Sequence, residues 1–286
     1  MKRNIWLPLG VFATLVLLHA AVAAQASAVA QTVKPIRAVK IILVGDSTTA
    51  VGSGWGGSFC ALHVTSFVAC VNLARGGRST RSYREEGSWK LALAEVRARG
   101  FADTWIVIQF GHNDQPGKPG RSTDLKTEFP ANLRRYVDEA RAAGAHPVLL
   151  TPLTRRQFVA GRLQNDLEPW AAAVANVAAE KQVPLVDLNS LSAKAVQEMG
   201  SRDANKLAQM PPSSEVAAAA ASGTTISAQT GIAPQTSDKR VATPMGKVNK
   251  TFDYTHLGRD GADYFAAMVA EELAAKVPML SEYLVP

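Results

Sequence analysis

The sequence predicts an α/β domain with a parallel sheet and helices on both faces of that sheet. Three observations carry the expectation: five short runs of nearly continuous Val, Ile and Leu, helix-spaced segments between them, and a length that suits one large core. Apolar runs without alternation mark strands buried on both faces, and strands alternating with helices imply βαβ units.

The 286 residues begin Met1-Lys2-Arg3, continue through an apolar run from Ile5 to Leu18, and turn to small residues around Ala21-Val22-Ala23. That order is the pattern of a secretory signal, and the run is too short to span a bilayer. A signal over residues 1–26 is expected. Its cleavage falls between 23 and 30, because Ala24-Gln25-Ala26 and Ala28-Val29-Ala30 repeat the small-x-small pattern. An uncleaved anchor is the competing reading. The expected protein is exported, periplasmic or secreted, with no stable membrane association after cleavage.

About 250 to 260 residues remain, which fits a single domain over residues 36–286. The net charge is +7, or +5 with Lys2 and Arg3 set aside. So modest an excess attracts polyanionic glycans without specifying one. No nucleic-acid partner is expected, and nothing in the composition sets an oligomeric state.

In chain order, strands are expected at Val39 to Val44, Phe67 to Leu73, Thr104 to Phe110, Pro147 to Leu150 and Pro184 to Leu188. Helices are expected around Trp55 to Val64, Trp89 to Arg99, Glu128 to Ala143, Glu168 to Lys181 and Asp260 to Lys276. The segment from about 205 to 250 breaks this rhythm with Pro211-Pro212, the run Ala217 to Ala221 and many Ser, Thr, Gly and Gln residues. It reads as a long, low-complexity loop or partly ordered insertion. Cys60 and Cys70 can form a disulfide in an oxidising compartment, with a pair of buried thiols as the alternative. Neither has a metal-site spacing to histidine, so no metal is expected there.

Four segments carry chemistry. The first strand ends in Gly45-Asp46-Ser47-Thr48, and ligands collect at the carboxyl ends of strands in an open parallel sheet. Ser47 needs a base to take its proton before it becomes a useful nucleophile; capping the next helix is its alternative role. In Asp253-Tyr254-Thr255-His256 a carboxylate and an imidazole lie three residues apart, so one turn brings them together. Asp253 then fixes the tautomer and leaves the other nitrogen of His256 free to act as base. A surface pair is the ordinary alternative.

The third segment, Phe110-Gly111-His112-Asn113-Asp114, follows the third strand, and Asn113 offers an amide donor for a tetrahedral oxyanion. His112 is the rival base. It ranks below His256 because its adjacent carboxylate, Asp114, as a sequence neighbour usually points elsewhere. The fourth, Asn72 to Ser79, carries Gly76-Gly77, where a backbone N–H approaches a ligand closely. Gly77, Asn113 and the Ser47 amide therefore form the expected oxyanion hole. A G-x-S-x-G elbow, a P-loop and a G-x-G-x-x-G fingerprint are absent from the sequence.

On these residues the chain resembles the SGNH, or GDSL, hydrolase superfamily: Ser47 in GDS, Gly77 in the second block, Asn113 in G-x-N-D and His256 in D-x-x-H. GDST followed by the stretch Asn72 to Tyr83, then Glu86-Gly87 and FGHND, is similar to the rhamnogalacturonan acetylesterases, carbohydrate esterase family twelve. The resemblance implies a flavodoxin-like three-layer α/β/α sandwich on a five-stranded parallel sheet, and catalysis without cofactor or metal. It further implies removal of acetyl groups from plant cell-wall polysaccharide of the rhamnogalacturonan or pectin type. A lipase, thioesterase or arylesterase acting on other acyl esters is the alternative. Arg78, Arg81 and Arg84 would then meet galacturonate carboxylates, which guanidinium groups match in fork geometry; a solvated basic loop paired with Glu85 and Glu86 is the other reading.

Overall fold

The structure is a computed structural model describing residues 37–230 and 250–286. The expected signal segment and the start of the domain at residue 36 lie outside the described residues. Seven strands are present among them: β1 (Val39–Gly45), β2 (Val68–Asn72), β3 (Thr104–Gln109), β4 (His146–Leu150), the short hairpin pair β5 (Phe158–Val159) and β6 (Arg162–Leu163), and β7 (Leu185–Val186). Five form one sheet in the order β2-β1-β3-β4-β7, every pairing parallel.

The helices are α1 (Gly56–Leu62), α2 (Ser82–Glu85), α3 (Ser88–Val96), α4 (Glu128–Ala142), α5 (Glu168–Lys181), α6 (Leu188–Ala204), α7 (Ser214–Ala221) and α8 (Arg259–Lys276). Alternate strand residues serve two cores. Ile41, Leu43, Trp105 and Val107 pack with Phe59 of α1, Val196 of α6 and Phe265 of α8. Ile42, Val44, Ile106 and Ile108 pack with Ala92 of α3, Leu133 of α4 and Val174 of α5. Each large apolar side chain so buried contributes about 1.5 to 3 kcal/mol, which is why strands apolar on both faces demand helices on both sides. The result is the three-layer α/β/α sandwich.

Strand order reverses between β1 and β3, so their carboxyl ends flank a crevice. Chain segments after those two strands carry Ser47 and Asn113. A disulfide joins Cys60 of α1 to Cys70 of β2, with Cα atoms 5.4 Å apart.

The last strand is shorter than expected, because Asp187 starts α6 instead: its side chain accepts the Ser190 N–H at 3.3 Å. The helix that follows, unassigned from sequence, hides its buried stripe in a run interrupted by Ser, Lys, Gln and Glu; Leu188, Ser192 and Val196 recur at four-residue spacing on the buried face. Part of the expected insertion also folds. Ser213 caps α7, whose alanines have the highest helix propensity, and Val216 joins Phe252 and Tyr254 in a small third core. Residues 231–249 lie outside the described residues. Near both ends of this stretch Ala208 and Leu257 form an antiparallel bridge, and the Gly258 N–H donates to Leu207 O at 2.9 Å.

Candidate active site

The turn bearing Ser47 is rigid for local reasons. Asp46 Oδ1 accepts the Thr48 N–H and the Thr48 hydroxyl, both at 2.8 Å, closing a tight turn after β1. Gly54 permits the chain to fold back, since a Cβ there would lie 2.0 Å from Thr48 O. Gln109, at the end of β3, accepts the Thr49 hydroxyl at 2.5 Å and the Trp55 indole N–H at 3.0 Å, and donates to Thr151 O at 3.1 Å. Its side chain thus ties the Ser47 turn to the neighbouring strands.

Asp253 and His256 sit in the loop before α8. Asp253 Oδ1 accepts the backbone N–H groups of Thr255 and His256, each at 2.7 Å, and His256 Nδ1 donates to Oδ2 at 2.7 Å. Burial pushes the Asp253 carboxyl upward, but these bonds outweigh it and hold the pKa down to about 2. The carboxylate is therefore ionised at neutral pH, and with Nδ1 carrying the proton, His256 Nε2 is the nitrogen left with a lone pair.

A second chain of bonds couples this loop to the serine turn. Ser53 Oγ donates to Ser47 O at 2.7 Å, and Ser53 O accepts the Leu257 N–H at 2.9 Å. Ser47, Gly77, Asn113, Asp253 and His256 accordingly line one cavity of about 520 Å³. No hydrogen bond joins Ser47 Oγ to His256 Nε2 among the described residues, a common state of such pairs before substrate binds. Gly77 adopts φ 78°, a left-handed conformation that favours glycine. Asn113 Nδ2 donates one hydrogen to Arg78 O at 3.1 Å, and the other has no partner among the described residues.

His112 also borders the cavity, but its ring is buried with Nδ1 3.5 Å from Asp46 Oδ2. Burial lowers its pKa, so the imidazole is neutral. Asp114 turns away from His112, as expected of a sequence neighbour. Its buried carboxylate accepts the Thr80 N–H at 3.0 Å and the Thr80 and Thr123 hydroxyls at 2.5 and 3.0 Å, joining the glycine-bearing loop to the one after β3. Burial raises the Asp114 pKa to about 7 against those bonds.

The three arginines named from sequence do not line the cavity. Arg78 pairs with Glu86 at 2.7 Å, Arg81 with Glu128, and Arg84 with Glu139 at 2.7 Å. The cations on the wall are Lys118, Arg121 and Arg155. Arg155 is engaged by Asp166 and by Gln115 Oε1, Lys118 donates to His112 O, and Arg121 donates to Gly77 O at 3.3 Å. Neither Lys118 nor Arg121 pairs with a carboxylate among the described residues. Sequence reasoning missed all three, although Arg155 follows β4 and Lys118 and Arg121 follow β3, at the carboxyl ends where ligands collect. Among the described residues, no three His, Cys, Asp or Glu side chains group as metal ligands.

Residues 43–209, more than half of the chain, match the GDSL-like Lipase/Acylhydrolase family. The chain belongs to that family. It is a carboxylic ester hydrolase of the SGNH type, and the matched span holds Ser47, Gly77 and Asn113 while ending before Asp253. Among its relatives is a probable rhamnogalacturonan acetylesterase, YesY, of Bacillus subtilis, 35% identical over 166 residues, which cover 56% of this chain and 75% of the relative. Another is the rhamnogalacturonan acetylesterase RhgT of the same organism, 36% identical over 177 residues, or 59% and 73% of the two chains. In fold, the chain is similar to the crystal structure of the Bacillus subtilis protein YXIM, with a TM-score of 0.59 and 22% identity, over 85% of this chain and 58% of that one. No helix among the described residues is long and apolar enough to cross a membrane.

Proposed function

We propose that this protein is an exported acetylesterase that deacetylates acidic plant cell-wall polysaccharide of the rhamnogalacturonan or pectin type. One observation carries the reading: an imidazole whose Nδ1 is held by an ionised carboxylate shares a single cavity with Ser47, Gly77 and Asn113. Ser47 Oγ attacks the acetyl carbonyl while His256 Nε2 takes its proton. The negative charge on the former carbonyl oxygen is met by the Ser47 and Gly77 N–H groups and by the uncommitted Asn113 hydrogen. His256 then returns the proton to the departing sugar oxygen, leaving an acetyl-serine. Water, deprotonated by the same imidazole, hydrolyses that ester and releases acetate.

The polysaccharide is inferred from the names of the relatives and from the charge of the wall. Lys118, Arg121 and Arg155 face the cavity together, and burial followed by the charge of Arg155 depresses the Lys118 pKa. Three cations with one engaged carboxylate among them favour a substrate bearing carboxylates. Sugar acids supply these.

The test is acetate release from acetylated rhamnogalacturonan, pectin and xylan, with an aryl acetate as the common reference. The acidic polymers should be the better substrates, and Ser47→Ala or His256→Ala should lose on the order of 10⁴-fold or more in kcat. A folded variant of either kind that keeps near-wild-type turnover removes that residue from the mechanism, and a clear preference for xylan overturns the substrate.

A further inference from the structure

The loop carrying Asp253 and His256 rests on a buried cation that the chemistry above does not use. Arg156 is 1% exposed and lies in the segment after β4, where the Thr154 N–H donates to Ser192 Oγ of α6 at 3.1 Å. Its guanidinium pairs with no carboxylate among the described residues. It binds carbonyls instead: Nη2 donates to Asp253 O and His256 O, both at 2.9 Å, and Nη1 to Thr255 O at 3.4 Å. The Arg156 backbone N–H adds a bond to Tyr254 O at 2.9 Å. All four carbonyls of the Asp253–His256 loop are thus held by one residue.

The opposite edge of the same loop faces the other way. The N–H groups of Thr255 and His256 converge on Asp253 Oδ1 at 2.7 Å, and Oδ2 takes His256 Nδ1. A peptide unit points its N–H and its C=O in opposite directions, so the hold of the guanidinium on Thr255 O, with that of the Arg156 backbone on Tyr254 O, also aims the His256 and Thr255 N–H groups at the carboxylate. A guanidinium buried without an ion partner is costly, and burial draws its pKa down to about 10. It nevertheless remains charged at neutral pH, favoured by the charge of the nearby Asp253 carboxylate and by the dipoles of the carbonyls it binds.

We propose that Arg156 is a positioning residue for His256: by gathering the Asp253, Thr255 and His256 carbonyls on its guanidinium, it sets the orientation in which Asp253 holds the imidazole toward Ser47. The proposal rests on His256 acting as the base. Because misplacement of a catalytic group by about 1 Å costs on the order of 100-fold, Arg156→Met should lower kcat for an aryl acetate by about that factor, with KM changed by no more than about twofold.

The decisive measurement is a double-mutant cycle. In a His256→Ala background no imidazole remains to be oriented, so Arg156→Met should change the residual rate by less than about threefold. A full repeat of the loss in that background overturns the proposal, as does a folded Arg156→Met enzyme within about threefold of wild-type kcat. Arg156→Lys keeps a buried cation with fewer directed donors; it should lose about tenfold with the same non-additivity, and it decides the matter if Arg156→Met does not fold. Should His256→Ala itself retain wild-type turnover, the base assignment falls. If His256→Ala keeps only a small residual rate and the Arg156 effects multiply on it, only the positioning role falls.

Discussion

Replacing Asp253 by Asn separates the electrical role of this side chain from its shape. The wild-type carboxylate accepts three hydrogen bonds at 2.7 Å, two from backbone N–H groups and one from His256 Nδ1. An amide of the same size keeps one acceptor oxygen. If that oxygen retains the Thr255 and His256 N–H groups, the NH₂ group faces Nδ1 and can only donate to it. His256 is then forced into the tautomer whose proton sits on Nε2, where it cannot accept a proton from Ser47. The expected loss in kcat for an aryl acetate near pH 7 is about 10³- to 10⁴-fold, or about 4 to 5.5 kcal/mol of transition-state stabilisation.

Stability should move as well. A pKa held at about 2, against an unfolded value of 3.8, is worth about 2 kcal/mol at neutral pH. Because the folded value is the lower one, that contribution is complete above about pH 4 and disappears as pH falls through 2. Urea unfolding of wild type and Asp253→Asn should differ by about 2 kcal/mol at pH 7 and converge toward pH 2. A folded variant within tenfold of wild-type kcat would refute the orienting role, and a stability difference that grows on acidification would refute the assignment of the low pKa.

Arg121→Gln keeps a donor for Gly77 O but removes one of the three cations on the cavity wall, so the ratio of kcat/KM on acetylated pectin to that on an aryl acetate should fall on the order of tenfold, and the salt dependence on the polymer should weaken. Reducing the Cys60–Cys70 disulfide releases a loop of sequence separation 10, which by chain entropy costs about 3 kcal/mol and should lower Tm by roughly 5 to 10 °C in a thermal scan with and without reductant. Asp114, with its pKa raised to about 7, favours the fold most when protonated. Its contribution is full below pH 3.8 and is lost as pH rises through 7, about 4 kcal/mol in all, so Asp114→Asn should flatten that decline in pH-dependent unfolding.

Much of this architecture is legible in the sequence because it rests on local signals. The runs at Val39, Thr104 and Pro147 are apolar on both faces, and alternation with helical segments assigns such runs to a covered parallel sheet. Ser47, Gly77 and Asn113 are likewise readable because each follows a strand, where the sheet's geometry delivers it to the crevice. What was illegible depends on partners distant in the chain. Gln109 reads as one more strand residue, and only its contacts with Thr49, Trp55 and Thr151 reveal a clamp. Arg78 and Arg121 are equally basic on paper; the presence of Glu86 beside the first, and of no carboxylate paired with the second among the described residues, separates them. The helix over Leu188–Ala204 was missed because polar residues dilute its apolar stripe, and α7 because an alanine run carries no face to read.

The bridge between Ala208 and Leu257 has a consequence for how this enzyme can diversify. Everything from Gln209 to His256 departs from and returns to one seam, and the family match itself stops at residue 209. With both ends sewn together, lengthening or exchanging the excursion costs little closure entropy, only about 0.6 kcal/mol per doubling of its length. New surface can therefore be grafted beside the candidate groove while the returning segment still delivers His256 to the same place.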